Sequence, residues 1–245
     1  MTDLSTLEGC ALFLDFDGTL VDIAPTPGGV VVPAGLLEQL ETLRQQLDGA
    51  LAILTGRSVR QIDRLLSPLK FIVSGGHGAE IRSSPVGGVE MRAAPIDDTV
   101  VTAIGRLANT ERRILVEPKS TSVAVHYRQA PDAGTELEAA LDAIVRTAGD
   151  GLEIRRGRMV LEVAPRGVSK GAALGILMSQ PVFRGRRPIV IGDDLTDESA
   201  FAAAQRWGGQ GLKVAGEHFR AESADFAGAG EVRRWLAARI RRTIA

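Results

Sequence analysis

Short apolar runs alternate with amphipathic stripes from the start of the chain. Ala11-Leu12-Phe13-Leu14 is a run of the length and character of a buried strand. Over 33–47, Leu36, Leu37, Leu40, Leu43 and Leu47 recur at helical spacing. Ala50-Leu51-Ala52-Ile53-Leu54 reads as a second buried strand, 58–66 as a helix capped by Ser58, and Phe71-Ile72-Val73 as a third strand. Strand and helix in strict alternation predict a parallel sheet with helices on both faces.

Near Pro95 the pattern changes. The spacing predicts a helix over 97–108, strands over 113–117 and 121–128, a helix over 135–148, and strands over 152–155 and 159–163. These strands alternate: Val123, Val125 and Tyr127 point one way, and Ser122, Ala124, His126 and Arg128 the other. Such pairs predict antiparallel hairpins with helices on one face and an open polar face. The first pattern then resumes, with a helix over 169–178, a strand over 188–191 and a helix over 197–206. The expected fold is therefore α/β: a doubly wound parallel sheet over 1–94 and 167–245, with a smaller α+β domain, 95–166, inserted into it. Pro95 and Pro165-Arg166-Gly167 are the expected hinges.

Composition narrows the function classes. With 245 residues, 44% of them hydrophobic, the chain holds a sizeable core. A formal net charge of -1 gives no electrostatic footprint for nucleic acid or acidic lipid. Arg233, Arg234, Arg239, Arg241 and Arg242 interleave with Val232, Trp235, Leu236 and Ile240, as on the solvated face of a terminal amphipathic helix. Cys10 is alone and sits in an apolar run, so it is expected buried and inert. Met1-Thr2-Asp3-Leu4-Ser5 does not open like a secretory signal, and no apolar run approaches the ~20 residues of a membrane span. A soluble, cytoplasmic monomer is the expectation.

The chemistry gathers where predicted strands end. Asp15-Phe16-Asp17-Gly18-Thr19-Leu20 follows the first strand and places two carboxylates on one side of the chain. Thr55-Gly56-Arg57 follows the second, and Gly192-Asp193-Asp194-Leu195-Thr196-Asp197-Glu198 follows the strand over 188–191. In open α/β sheets ligands bind outside these carboxyl ends. Asp197 and Glu198 suit a first helical turn, whereas Asp193 and Asp194 repel each other and the Asp15/Asp17 pair. A hard divalent cation resolves that repulsion, with Mg²⁺ the default. Lys170, in the first turn of a helix, either extends into solvent or reaches into this acidic crevice. Thr55 and the N–H groups around Gly56 suit phosphate oxygens. His77 lies between glycines that allow close approach to a ligand.

These pieces, in this order, resemble the haloacid-dehalogenase-type phosphatases. Asp15-Phe16-Asp17-Gly18-Thr19 matches that family's first motif, Thr55 the second, Lys170 the third, and Asp193 to Asp197 the fourth. The chain departs from the pattern at Ser169, where asparagine is expected. Within the superfamily, Gly76-His77-Gly78-Ala79-Glu80, the Gly192–Glu198 run, Glu117-x-Lys119, His126-Tyr127-Arg128 and Glu162 resemble the trehalose-6-phosphate phosphatases. The resemblance implies that Asp15 attacks phosphorus to form an aspartyl-phosphate and that Asp17 serves as acid and then base. It implies Mg²⁺ held by Asp15, the backbone carbonyl of Asp17, and Asp193, with Asp194 or Asp197 in or behind that set. Thr55 and Lys170 would steady the phosphoryl oxygens. Gly56, Arg57, His77, Glu117, Lys119, His126, Arg128 and Glu162 would bind a small phosphosugar. Alternatives keep the chemistry and change the sugar to sucrose phosphate or a mannosyl-phosphoglycerate, move phosphate as a mutase, or leave only a non-catalytic phosphosugar-binding module.

Overall fold

The computed structural model describes residues 7–240 except 25, 26, 112, 120 and 158, with the backbone alone described for 27 and 108–110. The expectations for Met1 to Ser5 and for Arg241 and Arg242 lie outside the described residues.

In chain order the elements are β1 (Cys10–Leu14), α1 (Leu36–Gln46), β2 (Leu51–Leu54), α2 (Val59–Leu65), β3 (Ile72–Gly75), β4 (Glu80–Arg82), β5 (Glu90–Met91), α3 (Asp98–Thr110), β6 (Leu115–Pro118), β7 (Val123–His126), α4 (Gly134–Ala148), β8 (Leu152–Gly157), β9 (Val160–Pro165), α5 (Lys170–Met178), β10 (Arg187–Gly192), α6 (Leu195–Arg206), β11 (Gln210–Lys213) and α7 (Ala229–Ala237). Two compact units separate: Met1–Glu90 with Ser169–Ala245, and Met91–Val168.

The first unit is built on a sheet of order β11-β10-β1-β2-β3-β4-β5. Strands β11, β10, β1, β2 and β3 run parallel. Every residue of β1 and β2 is buried, as expected when both faces of a sheet are covered. Cys10 lies buried within this core. The sheet is not parallel throughout, because β4 pairs antiparallel with β3. Only the short turn Gly76–Gly78 joins them, too few residues for a crossover, so the chain reverses. At the other end of the unit, α7 buries Val232 and Leu236, and Arg233 donates to the Leu20 carbonyl. Among the described residues no helix is long and apolar enough to cross a membrane.

The second unit is an antiparallel sheet of order β6-β7-β9-β8 with α3 and α4 packed on it. Register pairs Val123 with Val163 and Val125 with Leu161, and these four belong to the core shared with Ile104, Leu137 and Leu141. The opposite face carries a row in which Glu117 faces Ala124, Ala124 faces Glu162, and Glu162 faces Arg155. The polar face is open only in part: Ser122, Ala124 and Glu162 are buried, whereas Glu117 and His126 are half-exposed. Ser122 and Glu162 satisfy each other by a hydrogen bond, which removes much of the penalty for burying them.

Candidate active site

Strands β1 and β10 are neighbours, so their carboxyl ends bring Asp15 and Asp193 together. Between Asp15 and the next strand residues, Gly18 adopts φ +78° in the turn that carries Phe16 to Val21. A Cβ on Gly18 would overlap the Asp193 carboxylate, so any other residue displaces one wall of the site. Thr19 donates to Asp193 Oδ1 at 3.3 Å from the same turn.

The helix after β10 supplies the third carboxylate. Asp194 caps α6, and Asp197, at the third helical position, accepts from the Asp194 N–H at 3.1 Å. The helix therefore begins at Leu195, two residues before the sequence pattern suggested. This also divides the acidic run: Asp194 is exposed and accepts from the Leu195 N–H, whereas Asp193 and Asp197 turn inward. Lys170, held at the start of α5 by the Ser169 cap, reaches Asp15 Oδ1 and Asp197 Oδ1, each at 2.7 Å. Of the two readings of this lysine, burial at 2% exposure selects the crevice.

Carboxylate oxygens of Asp15, Asp193 and Asp197 lie within 4.8 Å of one another, a group that among the described residues could hold a metal ion. Its electrostatics are strained. Burial raises the Asp15 pKa well above 3.8, and Asp197 and Asp193 add to the rise against the opposing pull of Lys170. Asp193 is pushed up to about 6, chiefly by burial. Burial also raises Asp197, although Lys170 opposes it. Lys170 is held charged: burial works against its ammonium, but Asp15 and Asp197 outweigh it and raise its pKa. When all three carboxylates are ionised, the single lysine leaves two negative charges uncompensated. A hard, oxygen-seeking divalent cation matches that donor set in charge and chemistry. The side chains of Asp17 and Asp194 lie outside the group.

Asp17 is instead gripped by Arg57, whose Nε and Nη2 donate to its two oxygens at 2.6 and 2.7 Å. Thr55 is buried at the end of β2, where its Oγ1 accepts from the Arg57 N–H at 3.1 Å. The His77 ring packs over Gly56, and a Cβ there would stand 2.5 Å from Nε2. His77 itself sits at φ 55°, and its N–H donates to the Thr55 carbonyl at 2.9 Å. Glu80 accepts from the Val59 N–H at 2.9 Å and so anchors the start of α2. Thus the Gly76–Glu80 segment braces the Thr55–Arg57 loop from behind.

The remaining candidates lie in the second unit. His126 Nε2 stands 3.0 Å from Glu117 Oε2. Lys119 and Ser122 both donate to Glu162 Oε1, at 3.2 and 2.6 Å. Arg128 is exposed, two residues beyond β7. Ser122 was not singled out by sequence, although it occupies the polar face in the strand alternation. The Arg57–Asp17 pair was also missed, since forty positions separate its members.

Comparison with known proteins identifies the family. The sequence model of the family described as trehalose-phosphatase matches residues 13–227. A probable trehalose-phosphate phosphatase of Sinorhizobium fredii is 42% identical over 216 residues, covering 87% of this chain and 81% of that protein. The trehalose-6-phosphate phosphatase of Escherichia coli is 38% identical over 231 residues, covering 92% and 85%. Among solved structures, the C-terminal domain of the C. albicans trehalose-6-phosphate phosphatase superposes with a TM-score of 0.76 at 21% identity, covering 94% of this chain and 91% of that one. The fold is shared with a haloacid-dehalogenase-like hydrolase of B. subtilis, at a TM-score of 0.64 and 18% identity, and the matched family and relatives define a phosphatase. Within that class, the chain belongs to the trehalose-phosphatase family.

Proposed function

We propose that this protein hydrolyses trehalose 6-phosphate to trehalose and inorganic phosphate with Mg²⁺ as its cation. The observation that carries the reading is the buried set of Asp15, Asp193, Asp197 and Lys170 at the ends of β1 and β10. In the first step an Asp15 oxygen bonds to phosphorus as the bond from phosphorus to the sugar oxygen breaks. Asp17, protonated at that stage, gives its proton to the departing oxygen. In the second step water attacks the aspartyl-phosphate, its proton passes to Asp17, and the bond between phosphorus and Asp15 breaks to release phosphate. Lys170 has three N–H donors, two engaged by Asp15 and Asp197, and the third would serve a phosphoryl oxygen. Thr55 and the N–H groups of its loop serve the remaining oxygens. Mg²⁺, held by Asp15, Asp193 and Asp197, would offset charge on the phosphoryl group when bound.

Sugar recognition falls to the polar face of the second unit. Glu117, Lys119, His126, Arg128 and Glu162 offer both donors and acceptors, as a surface for hydroxyls requires. Replacing Glu162 with alanine is expected to raise KM for trehalose 6-phosphate by about 10- to 100-fold, the loss of one charged hydrogen bond. Turnover of p-nitrophenyl phosphate, which has no sugar, should change less than about twofold by the same reasoning. Equal loss on both substrates would remove Glu162 from sugar binding.

The deciding experiment measures phosphate release from trehalose 6-phosphate, sucrose phosphate and a mannosyl-phosphoglycerate, with and without Mg²⁺. The expected result is a preference for trehalose 6-phosphate that needs the cation. A chain with no preference among the three, or one equally active after chelation, overturns the proposal.

A further inference from the structure

Arg57 and Asp17 form a two-pronged pair: both carboxylate oxygens accept from one guanidinium, at 2.6 and 2.7 Å. The two members are held unequally. Arg57 is the fixed one, with 10% of its side chain exposed against 35% for Asp17. Its N–H donates to Thr55 Oγ1, its carbonyl accepts from the Gly76 N–H at 3.0 Å, and its guanidinium carbon stands 5.9 Å from the Phe16 ring centre. The carboxylate is thus oriented by an arginine whose own position is set by its own loop, by the Gly76 turn and by Phe16.

Two N–H donors on two oxygens suit the carboxylate form of Asp17 and leave lone pairs open for a further donor. That is the form Asp17 reaches once it has given its proton to the departing sugar oxygen. We infer that Arg57 is a positioning residue for the second half of the reaction: it holds Asp17 as the base that takes a proton from the hydrolytic water, and it acts through Asp17 rather than on the sugar phosphate. This inference rests on the acid/base role proposed for Asp17. It also moves Arg57 out of the substrate-binding set in which sequence placed it.

The test separates the two half-reactions with p-nitrophenyl phosphate, whose leaving group departs without a proton. Rapid mixing at saturating Mg²⁺ follows p-nitrophenolate from the parent chain, Arg57→Ala, Arg57→Lys, Asp17→Asn and the double variant Asp17→Asn/Arg57→Ala. Arg57→Ala is expected to give a burst near one p-nitrophenolate per enzyme, then a steady phase slowed about 10- to 100-fold, part of the usual worth of a positioned base. Asp17→Asn should show the same burst, and the double variant should be no slower than Asp17→Asn alone. Guanidinium ion at tens of millimolar should speed the steady phase of Arg57→Ala but not of the double variant. Arg57→Lys keeps the charge without the fork, so it should slow the same phase if the alanine variant does not fold.

Three results overturn the inference. One is a slowed burst, or lowered turnover without a burst, in Arg57→Ala. Another is a full additional loss when Arg57→Ala is added to Asp17→Asn, which would place Arg57 on the phosphate itself. The third is Arg57→Ala and Arg57→Lys at parental rates while Asp17→Asn is impaired. Parental rates in Asp17→Asn would instead overturn the underlying acid/base role, and the inference with it.

Discussion

The Asp15→Asn protein is expected to release phosphate from trehalose 6-phosphate at least about 10⁴-fold more slowly than the parent chain, because the proposed nucleophile itself is gone. The fold should survive. Asp15 is one of three carboxylates crowded beside a single lysine, and burial holds its pKa well up. Asparagine removes a charge that the site accommodates poorly, while Lys170 keeps Asp197 at 2.7 Å. The metal-free variant should therefore melt no lower than the parent at neutral pH. Steady-state phosphate release together with a thermal melt checks both halves. A variant that keeps even a tenth of the parental rate would exclude Asp15 as nucleophile.

A second large effect concerns pH in the absence of divalent ions. Asp193 is raised from 3.8 to about 6, and Asp15 and Asp197 shift in the same direction. The folded protein thus binds protons more tightly here than the unfolded chain does. The stabilising contribution is complete below about pH 3.8 and disappears as pH rises through about 6. For Asp193 alone the swing is about 3 kcal/mol, or about 6–12 °C in melting temperature for a chain of this size. Divalent cation competes with those protons, so stabilisation by Mg²⁺ should grow from pH 5 to pH 7.5. Melting curves of parent and Asp193→Asn, with Mg²⁺ or with chelator, test this. The variant should show a flatter pH dependence and a smaller Mg²⁺ effect. Identical slopes in the two proteins would mean that the cluster does not govern the pH response.

The sequence made the main outline readable because its signals were local. β1 and β2 are continuous apolar runs, and Ser58 and Ser169 cap the helices that they precede. Other features depended on partners far away in the chain. β11 is Gln210-Gly211-Leu212-Lys213, half-polar and interrupted by a glycine whose missing side chain makes room for the Phe201 ring, so no strand pattern survives there. β4 begins only at the last residue of Gly76-His77-Gly78-Ala79-Glu80, where the glycines drew attention to a ligand rather than to a reversal of the chain. In the site, residue pattern alone does not separate Asp193 from Asp194, and the resemblance separates them without giving a physical reason. The helix start supplies that reason, by drawing Asp194 outward as a cap and Asp193 inward. The grip of Arg57 on Asp17 had no local signature at all.

Asp197 joins two structures that are usually independent. Its Oδ2 accepts from the Asp194 N–H and its Oδ1 from Lys170, so both ends of the carboxylate are fixed by the fold. The rotational freedom of that side chain is surrendered when the helix forms, not when an ion arrives. A cation at the proposed site would therefore meet a carboxylate already immobilised, and little conformational entropy would be lost on binding. The same rigidity limits how far the oxygens can spread, which favours a small ion of fixed geometry over a large, adaptable one.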